Sequence, residues 1–409
     1  ILLIYHFSFS QSNASEILKG KKDIVYINSA EGIRALYSDK IYVIENNITI
    51  HRDSVLEIQA GTLIRIKPYA RIIINGGLIA DGRENNLITF TSFNENPWNC
   101  LYFENQQEVV LNYCKFENTI KTNDYRNGAL HFGIYSKLSE VKNCVFQDNK
   151  SGAIFIDRLQ SKTEELCFKN NSIENARDFG ISLFGGEFEK IKFEQNKIYG
   201  YNTHRIDKIG FTGIRIREIF SDSVFFKNNR IENSSFSYNE VQKVFNHPGG
   251  AILIQPGNDP LTIKKIFFDG DEIYNNKSKY AAVYAESYNE IIADSLKIES
   301  NNAALGGCYF KSPVIRISES SIKNNSNISS KYSPDGGGGL TLNMNAASPL
   351  IEIKESDILD NKKVLGNGGG ITINGMSNSN AIIRFSNNNF IDNRADENGG
   401  AIYINNIQS

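Results

Sequence analysis

Seven residues near the middle of the chain have the types and spacing for work on an anionic ligand: His204, Arg205, Asp207 and Lys208, then Arg215, Arg217 and Glu218. Arginines two residues apart on a strand share one face, and guanidinium groups grip a carboxylate-bearing saccharide through paired N–H donors. With Ile214 and Ile216 pointing inward, alternation sends Arg215 and Arg217 outward, beside the segment that carries the other four. The competing reading is a solvated ion-pair patch, which outward charges on a half-buried strand ordinarily form. No catalytic set accompanies these residues: the sequence has no Asp-Asp pair, no Gly-His-Gly and no acidic cluster recurring at calcium-loop spacing. His51, His131 and His247 have no visible metal partners, so neither a metal ion nor a cofactor is expected.

What must position the seven residues is a repeat. A small pair followed by alternating apolar residues occurs as Ser151-Gly-Ala-Ile-Phe-Ile156, Phe179-Gly-Ile-Ser-Leu183, Thr212-Gly-Ile-Arg-Ile216, Gly249-Gly-Ala-Ile-Leu-Ile254, Gly306-Gly-Cys-Tyr-Phe310, Gly338-Gly-Leu-Thr-Leu342, Gly369-Gly-Ile-Thr-Ile373 and Asn398-Gly-Gly-Ala-Ile-Tyr-Ile404, with weaker copies at Asn127 and Ala281. Counted from the second residue of each pair, successive copies lie 24 to 37 residues apart. Each copy is usually preceded by an apolar residue, two others and asparagine, as in Phe146 to Asn149, Ile298 to Asn301, Ile322 to Asn325, Ile358 to Asn361 and Phe390 to Asn393. Two phrases per period give one structural coil per repeat. Phe155, Leu183, Ile216, Leu253, Phe310, Leu342, Ile373 and Tyr403 form the expected inward ladder. The asparagines are expected to take left-handed turns and to stack amide on amide.

On this phasing Ile154, Ile156, Phe184, Ile252 and Ile254 share the outward parity of Arg215 and Arg217, to be covered by loops or by a partner. The long intervals around 185 to 212 and 217 to 248 are expected to leave the coil as loops, where function tends to sit on a rigid rod.

From Ile41 the chain breaks into short strands such as Val55 to Ile58, Leu63 to Ile66 and Ile72 to Ile74, separated by Gly61, Pro68, Gly76-Gly77 and Asp81-Gly82. Before them, Ser29, Glu31, Ile33, Leu36 and Tyr37 have the spacing of a short amphipathic helix that would cap the first coil. The opening Ile1-Leu-Leu-Ile-Tyr-His-Phe-Ser-Phe-Ser-Gln11, running into polar Ser12 to Ser15, reads as a truncated signal peptide over 1–14; a buried first strand is the alternative. The cap then occupies 15–40 and the repeat 41–409, with the natural chain expected to continue past Ser409.

Composition narrows the classes. Hydrophobic residues make up 40% and aromatics 11%, enough for a core. Lys plus Arg number 44 against 46 Asp plus Glu, a net charge of -2 that gives no general reason to bind nucleic acid. No segment is apolar over the ~20 residues that a transmembrane helix needs. Five cysteines are too few for a disulfide scaffold; Cys114 and Cys144, each two residues before a phenylalanine, read as buried thiols in one inward ladder, a disulfide being the alternative.

The run Leu56-Glu-Ile-Gln-Ala-Gly-Thr-Leu-Ile-Arg-Ile-Lys-Pro68, with Ile74-Asn-Gly-Gly-Leu-Ile-Ala-Asp-Gly82 and Ile88-Thr-Phe-Thr-Ser92, resembles the opening coils of secreted bacterial right-handed parallel β-helix proteins of the pectin-lyase-like superfamily. The later Gly-Gly-Ala-Ile and Phe-x-x-Asn phrases are similar to the repeats of chlamydial polymorphic outer membrane proteins, a group of surface adhesins. The resemblance implies an all-β fold: one right-handed parallel β-helix of about ten or more coils. It also implies two functional classes: a secreted or cell-surface binding or envelope module whose partner is a glycan or surface protein, or a polysaccharide lyase on an anionic glycan, whose family would use an Arg or Lys base.

Overall fold

Short strands rich in Ile, Val and Phe bury their apolar side only when each turn of the chain stacks on the last, and the strand register shows that they do. The computed structural model describes residues 22–104, 107–121, 128–200, 210–235, 237–239, 244–247, 249–255, 262–327, 336–346, 349–364, 366–375 and 380–405. Among these residues there is no α-helix, and the strands of successive coils pair in parallel. One face is a fourteen-stranded sheet running from Asp23–Ile27 and Lys40–Ile44 to Asp357–Leu359 and Asn389–Ile391. At about 4.8 Å per strand the stack is roughly 60 Å long. The other two faces, the glycine-led strands and the strands that follow them, belong to one twenty-three-stranded sheet. They are joined because Gly152–Lys169, Asp178–Glu194 and Phe211–Lys227 each cross the corner between the faces as one unbroken strand.

The register corrects the expected phasing. Ile154 stands opposite Ile181, which stands opposite Ile214 and then Ile252; Ile156 is level with Leu183, Ile216 and Ile254. All eight are buried and point inward. Ala153 therefore corresponds to Gly180 and Gly213, so the copies in which glycine precedes alanine sit one residue later than the glycine pair suggests. Leu183, Ile216, Phe310, Leu342 and Ile373 are inward as expected, whereas Phe155, Leu253 and Tyr403 belong to the outward column. Ile154, Ile156, Ile252 and Ile254 need no cover, since they are core. The small column is sterically enforced at Gly213, where a Cβ would come within 2.5 Å of Ile231 and 2.6 Å of the Ala251 carbonyl.

Aromatic stacks run through the core. Phe168, Phe193, Phe226 and Phe268 follow one another at 5.2, 5.0 and 4.9 Å between ring centroids, and Phe90, Phe116 and Phe146 at 5.0 and 5.1 Å. Parallel in-register pairing repeats one ring above another, a geometry that adds to area burial.

Two corners of the coil carry polar ladders over parts of the stack. Asn276, Asn301, Asn325, Asn361 and Asn393 form the expected amide ladder, in which each of the first four donates Nδ2 to the Oδ1 of the next asparagine at 3.0 Å; Asn149 holds the same corner in an earlier coil, where it accepts from Thr119 and donates to the Phe116 carbonyl. Their left-handed conformation was expected on the asparagine itself, yet it falls one residue earlier, at Asp148, Asn275, Asn324, Asp360 and Asp392. A second ladder, at the corner before the fourteen-stranded face, runs Asn171, Asn196, Asn229, Asp271, again following left-handed residues such as Asn170 and Asn228.

The expected cap helix is absent. Asp23–Ile27 already pairs with Lys40–Ile44, and residues 28–37 form turns ending in the two-residue strand Ala35–Leu36, paired with Glu57 and Ile58. Gly32 is left-handed at φ 74°, and ten residues are too few for a helix to hold without strong packing. Ala30, Ile33 and Leu36 still close the end of the core. Just after 185 and 217 the chain continues as strand across the corner, with Leu159, Phe188 and Ile219 buried in the widened turn, while residues 201–209, 236, 240–243 and 248 of the two long intervals lie outside the described residues. The later part of the 217–248 interval holds an antiparallel pair, Ser237–Asn239 with Val244–His247. The stretch read as a signal peptide lies outside the described residues.

All five cysteines are free and buried, and Cys114 and Cys144 are neighbours in one column as expected. Burial pushes the Cys114 and Cys308 thiols well up, and that of Cys167 to about 11. Iodoacetamide should therefore leave the native protein unlabelled at pH 8 and modify these thiols once urea unfolds it, as read by intact mass; labelling of Cys114 or Cys144 in the native state would contradict this packing.

Candidate functional site

The outward face of the glycine-led strands carries two adjacent columns, because residues two apart on a strand share a side and equal positions stack from coil to coil. One column runs Tyr102, His131, Phe155, Ser182, Arg215, Leu253, Tyr284, Tyr309. Beside it lie Asp157, Phe184, Arg217 and Gln255. Arg215 and Arg217 are thus outward, as alternation demanded. Glu218 sits at the corner in a left-handed conformation, φ 55°, with its carboxylate 3.7 Å from Arg217. His204, Arg205, Asp207 and Lys208 lie outside the described residues.

Arg215 and Arg217 differ sharply in environment. Arg215 is half-buried between Ser182 and Leu253, its Nε has no hydrogen-bond partner, and its pKa falls to about 10, first through burial and then through Arg217. Arg217 is more open and lies 5.4 Å from the centre of the Phe184 ring. Arg158, from the preceding coil, lies 4.0 Å from the same ring. Phe184, outward as expected, thus brings together two guanidinium groups from coils on either side of its own. Sequence reasoning missed Arg158, whose left-handed φ of 40° and place two residues beyond the strand phrase hid its membership of the patch.

The aromatic column was also missed. Tyr102 meets His131 edge-on at 5.0 Å, His131 meets Phe155 edge-on at 5.0 Å, and Tyr284 stacks on Tyr309 at 4.5 Å. The signal was present in Leu101-Tyr-Phe103, Leu130-His-Phe132 and Cys308-Tyr-Phe310, where the middle residue of each triplet faces out. Tyr102 donates to Glu104 and Tyr284 to Glu286. Burial, reinforced by these carboxylates, raises both phenols, and Tyr309 is raised to about 12. Lys311 neutralises Glu286 at 3.2 Å, and Asn343 donates to the Tyr309 oxygen at 2.9 Å. Among the described residues no three His, Cys, Asp or Glu side chains are grouped to hold a metal ion, and no helix is long and apolar enough to cross a membrane.

Residues 8–198 match a family model described as right handed beta helix region. The chain is a right-handed parallel β-helix. The match covers just under half of it, but the β-helix itself does not stop there: the inward columns and the asparagine ladder continue through Ile402–Asn405 and Asn393. No curated protein and no solved structure matches the chain.

Proposed function

We propose that this β-helix is the rod of a secreted or surface-displayed protein, with adhesin-like repeats, that binds an anionic glycan along its outward glycine-strand face. The observation that carries the reading is the meeting of Arg158 and Arg217 on the Phe184 ring, two cations from the coils on either side of it, with Arg215 two residues from Arg217 on the same outward strand face and an aromatic column beside them. Its repeat suits a polymer that lies along the rod, and its charge suits carboxylate or sulfate groups.

Purified full chain should bind polygalacturonate or heparin with an affinity that falls as salt rises. Arg158→Ala and Arg217→Ala should each weaken it about tenfold, the worth of one hydrogen-bonded charge contact, as measured by titration calorimetry. Absence of binding to any anionic polymer, matrix protein or cell surface would remove the reading.

A polysaccharide lyase on the same face is the second reading, favoured by the depressed pKa of Arg215, since the lyases that the sequence resembles use a basic side chain to take a proton beside a uronate carboxyl. A pKa of about 10 leaves roughly one guanidinium in a thousand neutral at pH 7, which suits binding better than proton abstraction. A lyase would therefore release ultraviolet-absorbing unsaturated products from pectate or alginate only at alkaline pH, and Arg215→Lys would change that pH profile. Silence between pH 7 and 10, with and without calcium, would exclude it.

A further inference from the structure

A second polar recess lies at the other end of the same face, three coils away from Phe184. The corner loops of four successive coils meet there around an open cleft of about 490 Å³, contributing Arg52 and Asp53, Asn75, Glu104 and Gln107, and Tyr135. That volume is in the range of small-ligand sites. The frame is fixed by backbone bonds: Asn75 N–H to Ile50 at 3.0 Å, Glu104 N–H to Ile74 at 3.0 Å, and Gly133 N–H to Phe103 at 2.8 Å. Ser136 closes the last turn by donating its hydroxyl to the Phe103 carbonyl at 2.7 Å, which holds Tyr135 at the rim, 49% exposed. The Gln107 amide reaches back to the Arg52 carbonyl and ties the third coil to the first.

Glu104 is the group that asks for a ligand. One carboxylate oxygen accepts from Tyr102, while the other, Oε2, is buried and has no hydrogen-bond partner. Gly133 lets both side chains pack this closely, since a Cβ there would stand 2.6 Å from Glu104 Oε1 and 2.8 Å from the Tyr102 oxygen. A buried acceptor left open is costly, and a donor arriving with the ligand recovers that cost. The lining carries two carboxylates, Asp53 and Glu104, against one cation, Arg52, so an anion is repelled here. Amides for hydroxyl groups, one open carboxylate oxygen and a tyrosine ring at the rim describe an uncharged polyol.

We infer that this corner cleft is a binding site for a neutral sugar residue, which donates a hydroxyl to Glu104 Oε2 and lies against Tyr135. The site is separate from the arginine cluster and of opposite charge preference, so it stands whether or not that cluster binds an anionic glycan.

The test titrates full-length chain with hexasaccharides of glucose, mannose, xylose and N-acetylglucosamine by calorimetry. At least one should bind, equally well at 50 and 500 mM salt, in contrast to the salt-sensitive binding expected of the arginines. Glu104→Gln keeps the shape and the Tyr102 contact but discharges the acceptor, and should weaken binding about tenfold. Tyr135→Ala, at an exposed rim position that does not endanger folding, should weaken it similarly, while Arg217→Ala should leave it unchanged. If no hexasaccharide binds, or if both Glu104→Gln and Tyr135→Ala bind as the parent does, the inference is overturned. Loss of heparin binding in Arg217→Ala with neutral binding retained would uphold this site and the arginine reading separately.

Discussion

Asn325→Ala is expected to cost about 3–5 kcal/mol and to loosen the coils on both sides of it. The side chain makes four buried hydrogen bonds: Nδ2 donates to the Ile298 carbonyl at 2.9 Å and to Asn361 Oδ1 at 3.0 Å, while Oδ1 accepts from the Asn301 backbone N–H at 3.1 Å and from Asn301 Nδ2 at 3.0 Å. Alanine removes all four bonds; Asn301 Nδ2 keeps the Ile273 carbonyl and Asn361 Oδ1 keeps the Asn325 backbone N–H, but the Asn301 backbone N–H loses its acceptor inside the rod, where water cannot reach it without opening a coil. Because each coil touches only its neighbours, the damage should be read locally as well as globally. Hydrogen exchange at Asn301 should accelerate by orders of magnitude, and the urea midpoint should fall. An unchanged exchange rate at Asn301 would show that the ladder contributes nothing to holding the coils together.

The second large effect is a pH dependence centred on Asp271. It takes an asparagine's place in the second ladder, accepting from the Asn229 backbone N–H at 2.9 Å and from Asn229 Nδ2 at 2.8 Å. Burial, opposed only in part by these bonds, lifts its pKa from an ordinary 3.8 to about 7. A carboxyl whose folded pKa is raised binds its proton more tightly in the native state. Its stabilising contribution is therefore complete below pH 4, declines as pH rises, and is gone above pH 7. The shift corresponds to about 4 kcal/mol as an upper figure. Asp271→Asn restores an amide whose natural acceptor is the Phe226 carbonyl, the register equivalent of the Phe193 carbonyl used by Asn229. That variant should be more stable than the parent at pH 8, by a few kcal/mol, and nearly equal to it at pH 4. Parallel urea titrations at the two pH values decide the matter, and a stability difference independent of pH would refute it.

Much of this architecture was legible in the chain because stacking forces repetition. The glycine phrase and the Phe-x-x-Asn phrase mark two corners of most coils from Gly128 onward, and both correspond to structure. The phase was harder: Ala153 and Gly180 satisfy the same tight corner, so aligning on glycine placed Phe155 inside and Ile154 outside, the reverse of what the register shows. The second ladder was missed because its position tolerates Cys144, Asn171, Asp271, Leu296 and Ser320 in turn. Its better marker is the left-handed residue just before. The cap failed as a helix because three apolar residues at near-helical spacing are equally served by turns over a preformed end. Of the candidate site, Arg215 and Arg217 could be placed by alternation alone. Arg158, Tyr102 and Glu104 could not, since their importance comes from neighbours about thirty residues away, brought close only by the stack.

From Asn171 onward the two ladders share the rod between them. The first lapses at Ala176 and resumes at Ser234, which donates its backbone N–H to Asn276 at 2.9 Å. Across that gap runs the second, from Asn171 through Asn196 and Asn229 to Asp271. Over these coils the arrangement is a scarf joint: Asn171 stands in the coil of Ala176, where the first ladder has lapsed, and Asp271 in the coil of Asn276, where it has resumed. Asn196→Ala should therefore weaken the rod at the stretch where the first ladder offers no substitute.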